Sequence, residues 1–254
     1  MVRLSVNVNK VATLRNSRGG SIPSVTDAVR VCLAAGAPGI TVHPRADRRH
    51  ITPEDVRQIA ALIANHPGEV EYNIEGDPRP ELLALVREVK PDQCTLVPVM
   101  PGEITSQAGW PPDTPRDELG AAIRTLNAEG IRVSLFIEPD AKAIEWAAGL
   151  GAQRVELYTE PYARAFERGP DERQRSWERY AAAARCAHEL GLGVNAGHDL
   201  NLDNLPLFAA IPHLAEVSIG HALISHALFV GLDRAVRDYL AALAVSPADA
   251  RANP

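Results

Sequence analysis

Histidines, carboxylates and arginines recur in this chain at the ends of short apolar runs. In order they are Asn7 and Asn9 with Lys10, His43 with Arg45, Glu75, Glu138, Glu156, His198, and Gly220 with His221. Histidine carries protons near neutral pH, and a carboxylate among apolar walls can be tuned upward into a base. His43, Glu75 and His198 therefore suit a multi-step acid–base reaction. Each residue alone has an ordinary explanation, such as a helix cap or an ion pair. Their recurrence at so many run ends carries the chemical reading.

Positive charge is concentrated in one place. Residues 39–50, GITVHPRADRRH, hold His43, Arg45, Arg48, Arg49 and His50, although the chain as a whole carries a net charge of −6. Arginine's planar fork grips phosphate oxygens in pairs. Arg45, His50 and Arg18 (from LRNSRGG) are thus candidates for one anion site. Neighbours on one loop cannot all face inward, so Arg48 or Arg49 is expected in solvent. A second anion site is read at Gly220–His221 in SIGHALISHALF, where glycine lets a ligand near the backbone and a helix start offers unpaired N–H groups. The plainer alternatives are a solvated patch and a tight turn. His66 and His213 fall in turns, His188 and His226 in helical patterns, and all four read as surface or packing residues.

These residues need a scaffold that brings run ends together. Strand-length runs occur at 3–8, 39–43, 70–75, 93–99, 132–138, 154–159, 192–197 and 215–220, several nearly continuous in apolar character. Helical patterns lie between them. Val56, Ile59, Ala60 and Ile63 follow helical spacing behind Thr52, Pro53 and Asp55, which together predict a capping box. Thr114, Pro115 and Asp117 repeat the device before Leu119, Ala122, Ile123 and Leu126. Gly36, Gly130 and Gly191 stand where helices should stop. Eight strand–helix alternations predict a (β/α)8 TIM barrel with additional helices, whose chemistry sits at the carboxyl ends of its strands. A doubly wound open sheet is the rival. One domain is expected over 1–245, with a tail over 246–254. Residues 99–115 lack periodicity and read as a binding loop or lid, or a surface excursion.

Bulk properties narrow the class. The 254 residues are 46% hydrophobic and 23% charged, with a pI near 5.8. No basic face points to nucleic acid, no apolar run is long enough to span a membrane, and no leader segment is apparent. Cys32, Cys94 and Cys186 form no CxxC pair and read as buried reduced thiols of a cytoplasmic protein.

The segments VNVNKVATLRNSRGG (6–20), GITVHPRADRRHIT (39–52), NIEG (73–76), LVP (96–98), VSLFIEPD (133–140), VNAGHDLN (194–201) and IGHALI (219–224) closely resemble the pyridoxine 5′-phosphate synthase family across essentially the whole chain. The resemblance implies a homo-octamer of (β/α)8 barrels built from dimers. It implies condensation of 3-amino-2-oxopropyl phosphate with 1-deoxy-D-xylulose 5-phosphate to pyridoxine 5′-phosphate, phosphate and water, with no cofactor and no metal. By the same resemblance His43 and Glu75 match proton acceptors, His198 a proton donor, and Glu156 a transition-state stabiliser. Asn7, Arg18, Gly220 and His221 match the amino-ketone phosphate site; Arg45, His50 and Thr105 match the deoxyxylulose phosphate site. Two departures stand out. Many members have Asp-His at Asn9–Lys10, a pair expected at the deoxyxylulose phosphate, and glycine at Asp199. The backbone contact at 199 is expected to survive, with the carboxylate near a phosphate or turned away to cap the next turn.

Three other functions fit the residues less well. One is a Schiff-base aldolase using Lys10. Another is a metal-dependent sugar-phosphate isomerase or epimerase with His43, Glu75 and His198 as ligands, which lacks HxH or HExxH spacing. The third is a non-enzymatic phosphate-sensing barrel.

Overall fold

A computed structural model describes residues 1–98 and 106–245. The chain runs β1 (Arg3–Asn7), α1 (Asn9–Asn16), α2 (Val25–Ala34), β2 (Gly39–Val42), α3 (Pro53–Ile63), β3 (Glu71–Gly76), α4 (Pro80–Val89) and β4 (Gln93–Leu96). It continues with α5 (Arg116–Ala128), β5 (Arg132–Ile137), α6 (Ala141–Gly149), β6 (Arg154–Tyr158), α7 (Glu160–Glu167), α8 (Pro170–Glu189), β7 (Gly193–Gly197), α9 (Leu205–Phe208), β8 (Leu214–Ile219), α10 (His221–Val230) and α11 (Leu232–Leu243). The strands pair in parallel in chain order, and β8 pairs with β1, closing the barrel. This is the expected (β/α)8 architecture, with α1, α7 and α10 added ahead of the outer helices α2, α8 and α11. The expected tail lies outside the described residues.

Local chemistry sets the helix ends. Thr52 Oγ1 accepts from the Asp55 amide at 3.2 Å while Asp55 Oδ2 accepts from the Thr52 amide at 2.8 Å, the expected capping box. Gly36, Gly130 and Gly191 take φ of +96°, +80° and +78°, the left-handed stop that glycine accepts without penalty. The second predicted cap differs. α5 starts at Arg116 with Pro115 before it and no side-chain cap; the Thr114 carbonyl instead accepts from Trp146 Nε1 at 3.2 Å. Proline at the entry fixes the backbone angle, so the hydroxyl is not required there.

Several strands read from the sequence as nearly continuous apolar runs, and the structure corrects this. They alternate. Leu4, Val6, Ile40, Val42, Ile74, Val133, Leu135, Val155 and Val217 are buried in the hydrophobic core. The opposite residues are polar yet buried: Ser5, Thr41, Asn73, Gln93, Thr95, Ser134, Glu156, Asn195 and Glu216. They bond to one another across strands, as in Ser5 Oγ to Thr41 Oγ1 at 2.7 Å and Thr95 Oγ1 to Asn73 Oδ1 at 3.0 Å. Buried polar groups need such partners, since an unmade bond costs about 1–3 kcal/mol. Hydrophobic burial therefore lies between sheet and helices, and the barrel's inside is free to carry chemistry.

Candidate functional site

A cavity of about 410 Å³ opens at the carboxyl end of the barrel. It is lined by Asn7, Asn9, Lys10, His43, Arg45, His50, Glu75, Glu156, His198, Asp199, Gly220 and His221. Twelve of the fifteen residues singled out from the sequence thus meet in one place, although their positions span more than 200 residues of chain. Arg18 is exposed just beyond α1 and does not line this cavity, so the chain does not bring it to its own Arg45 and His50. Thr105 lies outside the described residues. Glu138, at the end of β5, also stays out of the cavity; its Oε1 accepts from the Gly109 amide at 3.4 Å.

The amino-terminal edge is built by two asparagines. Asn7 Oδ1 accepts from the Asn9 amide at 3.0 Å, and Asn9 Oδ1 accepts from the His43 amide at 2.9 Å. Asn9 therefore ties β1 to the end of β2 and fixes the backbone that carries His43. Lys10, one residue on in the first turn of α1, is exposed at the cavity wall.

His43 and Glu75 stand together at the bottom of the cavity. His43 Nδ1 stands 3.8 Å from Glu75 Oε2, and His43 Nε2 is buried without a hydrogen-bond partner. Burial, reinforced by Arg45, His50 and Arg79, holds the His43 imidazole well below its ordinary pKa and hence neutral. Burial and the nearby Glu216 push Glu75 up to about 8, against a hydrogen bond from Ser218. Burial also drives Glu156 well above the usual carboxylate range, with Glu75 and Glu216 adding to the effect and Thr95 opposing it. Only Gly197 leaves room for Glu156: a Cβ there would stand 2.4 Å from Glu156 Oε1.

His198 sits on the opposite wall in a left-handed backbone, φ +86°, followed by Asp199 at +57°. Its ring lies between Phe136 and Tyr158, at centroid distances of 5.1 and 5.4 Å. Burial lowers its pKa; Asp199 opposes that shift and Lys10 adds to it. The turn after Asp199 is capped by Asn201 and Asn204, whose side chains each accept from the other's amide, at 3.0 and 2.9 Å. Asp199 supplies only its carbonyl to that turn, accepting from Asn204 Nδ2 at 3.1 Å, so its carboxylate is not the cap.

Two cationic features face the cavity. Arg45 is buried, and His50 is half-buried with its Nδ1 accepting from the Ile51 amide at 2.9 Å. Burial, Arg45 and Lys10 lower His50 to about 4, so with Nδ1 accepting, the single ring proton is on Nε2, which is left as a donor. Arg48 and Arg49 are both exposed; Arg49 lies at the cavity rim and pairs with Asp47, Nε to Oδ2 at 2.7 Å. The second feature is the start of α10, where Gly220 and His221 present first-turn amides at the cavity. A Cβ on Gly220 would stand 3.1 Å from that of Asn7.

Val97, Ser106, Phe136, Ser218, Ile219 and Leu200 also line the cavity and were not anticipated. The signal for Phe136 and Ser218 was strand parity, since each lies two residues beyond a buried polar inward residue, Ser134 and Glu216. Residues 106–110, from the later half of the presumed loop, are anchored on the barrel. The Trp110 amide donates to the Phe136 carbonyl and its indole N–H to the Leu96 carbonyl, both at 2.9 Å. Among the described residues no group of three or more His, Cys, Asp and Glu side chains could hold a metal ion, and no helix is long and apolar enough to cross a membrane. Cys32 and Cys94 are buried as expected, whereas Cys186 is only half-buried on α8.

Comparison with known proteins gives the same picture from two directions. Solved barrels match the fold at low identity. They include 3-keto-L-gulonate-6-phosphate decarboxylase from Vibrio cholerae, at TM-score 0.61 and 12% identity over 95% of this chain and 97% of that one. Phosphoribosyl anthranilate isomerase from Thermotoga maritima matches at TM-score 0.60 and 15% identity over 96% and 98%. Curated relatives are much nearer in sequence. Pyridoxine 5′-phosphate synthase of Bacteroides fragilis is 51% identical over 240 residues, covering 94% of this chain and 98% of the relative. Its namesake from Porphyromonas gingivalis is 48% identical over 246 residues, covering 96% and 100%. A family model described as pyridoxal phosphate biosynthesis protein PdxJ matches residues 4–245. With that match over nearly its whole length, the chain belongs to the PdxJ family.

Proposed function

We propose that the protein is a pyridoxine 5′-phosphate synthase, joining 3-amino-2-oxopropyl phosphate to 1-deoxy-D-xylulose 5-phosphate and releasing phosphate and water. The observation that carries this is the pairing of a neutral His43 with a raised Glu75 in a cavity flanked by two cationic features. Two phosphorylated substrates need two anion sites. Arg45 and the donor face of His50 receive the deoxyxylulose phosphate, together with Thr105; Lys10 adds electrostatic anchoring beside the Asn9 position. The α10 start at Gly220–His221, with Asn7 beside it, receives the amino-ketone phosphate, and Arg18 belongs to that subsite by family likeness.

Imine formation, proton transfers, phosphate loss and ring closure all move protons. Glu75 and His43 accept them from substrate carbon and nitrogen, and Glu156 stabilises a transition state. His198 donates. Its lowered pKa leaves it neutral at rest, so it must gain a proton within the cycle. A bound dianionic phosphate favours that gain by raising the pKa of nearby imidazoles. Asp199 contributes its backbone to the same wall and offsets part of the cationic field on His198.

The catalytic unit spans residues 1–245. Further parts of this reading are a cytoplasmic setting, supported by three unpaired cysteines, and a homo-octamer built from dimers. Incubation of the purified protein with both substrates tests the function: pyridoxine 5′-phosphate and inorganic phosphate should appear in equal amounts. Absence of product with both substrates saturating contradicts it.

A further inference from the structure

Below the cavity the barrel interior continues as a polar column. At the amino-terminal end Arg3, Arg132 and Arg154 project inward beside Glu71, which pairs with both Arg132 and Arg154. Arg154 Nη1 also donates to Asn195 Oδ1 at 3.1 Å, and Arg132 Nε to Gln93 Oε1 at 3.1 Å. Glu216 of β8 stands between this arginine floor and the cavity. Its Oε1 accepts from Asn195 Nδ2 at 3.3 Å, while its Oε2 is buried with no hydrogen-bond partner. Asn195 is the register neighbour of both Glu156 and Glu216. Two residues along the same inward face of β8, Ser218 bonds to Glu75.

Three buried carboxyl groups, Glu75, Glu156 and Glu216, thus share the barrel interior. Like charges in such a space cannot all ionise, and their protons belong to the set rather than to single residues. We propose that Glu216 is a positioning residue for these protons: held over the arginine floor and coupled to Glu75 and Glu156 through the barrel interior, it takes the negative charge and leaves the proton at the mouth. The groups facing Glu216 are Arg3 from β1, Glu71 from β3, Arg132 from β5 and Arg154 from β6. Those facing Glu75 are His43 just after β2, Glu156 from β6 and Glu216 itself, with Cys94 behind it on the core side of β4. Burial and Glu71 raise Glu216, and the three arginines hold that rise in check; for Glu75 the opposing group is the Ser218 hydroxyl. Both Glu75 and Glu216 titrate near neutrality, at about 8 and about 7, in keeping with a shared set. When ionised Glu75 takes a substrate proton, its repulsion with Glu216 is relieved, which makes it a stronger base than its position alone would.

This inference rests on the role given to Glu75 above. Its test is the pH profile of kcat/KM for Glu216→Gln and Glu216→Asp, with carboxyl titration by NMR of protein labelled with ¹³C at the glutamate side-chain carboxyl. Glu216→Gln should move the acid limb, set by Glu75, down by about one pH unit, the scale of one like charge in a low-dielectric interior. Glu216→Asp, which keeps the charge, should move it less. In the unsubstituted protein the buried glutamates should titrate in overlapping, broadened steps near neutrality, sharpening in Glu216→Gln. The same acid limb and the same glutamate titrations in parent and Glu216→Gln would overturn the proposal. If Glu216→Gln does not fold, separate single-step titrations of Glu75 and Glu156 in the parent protein overturn it instead. The titration needs no substrate, so an inactive parent protein counts against the proposed reaction and leaves the coupling readable.

Discussion

Glu75 faces His43 across 3.8 Å at the inner end of the cavity, where little water reaches either group. Replacing it by glutamine preserves shape and hydrogen bonding with Ser218 and removes only the basic function. Glu75→Gln should leave KM for both substrates within a few-fold and lower kcat by roughly 100-fold or more, the usual scale for a lost general base. Steady-state kinetics on purified variant decides this, and near-normal turnover would remove Glu75 from the mechanism. Arg45 and Arg48 make a matched contrast three residues apart. Arg45 is buried at the cavity, while Arg48 is exposed and lines a separate surface groove with Arg15 and Asn16. Arg45→Ala should raise KM for one phosphorylated substrate about 10- to 150-fold, the equivalent of losing a charge-assisted bond of about 1.5–3 kcal/mol. Arg48→Ala should be nearly silent. Unchanged KM values in Arg45→Ala would mean that this positive cluster serves packing or assembly.

At the scale of elements, one contact holds the loop that carries His43, Arg45 and His50. Arg15 of α1 reaches Asp55 at the start of α3, with Nη2 to Oδ2 at 2.9 Å, and also donates to the His50 carbonyl at 3.2 Å. Asp55 closes the capping box as well, so one carboxylate joins α1, the loop and α3. Burial pushes its pKa up, but Arg15 and Thr52 outweigh that and hold it below the usual carboxylate range. Asp55→Ala should cost about 2–4 kcal/mol of stability, since it removes a cap and strands a largely buried guanidinium. Denaturant unfolding measures it. Because the folded pKa is depressed, the stabilisation is complete above the ordinary Asp pKa and is lost as pH falls through the folded value. The gap between parent and variant should therefore close in acid; a gap that persists unchanged there would assign the loss to packing.

For the molecule as a whole, the outer surface carries a feature that a lone barrel does not explain. Leu228, Phe229 and Val230 end α10 with exposures of 70%, 89% and 42%. Apolar side chains grouped in this way are found where copies meet more often than on solvated faces. If the family's oligomer uses this surface, Phe229→Ser should shift sedimentation toward smaller species and leave the far-UV circular dichroism unchanged. An unaltered sedimentation profile would move the interface elsewhere.

How much of this was readable beforehand follows from what each signal depends on. Apolar spacing, the Thr52–Asp55 box and the glycine stops at 36, 130 and 191 are local, and they sufficed for eight strand–helix units and hence the barrel. Polar residues at strand ends depend only on position within a unit, so twelve of the site residues were named in advance. The polar column is written in alternations such as Arg132-Val133-Ser134 and Glu71-Tyr72-Asn73, which the expectation of apolar buried parallel strands hides. Tertiary structure alone decided the rest. Which arginine faces the cavity, why Glu138 stays outside it, and that Glu216 shares a compartment with Glu75 and Glu156 all depend on through-space neighbours brought by distant strands. Closure of the barrel sets those distances, and charge interaction in a dry interior turns them into chemistry.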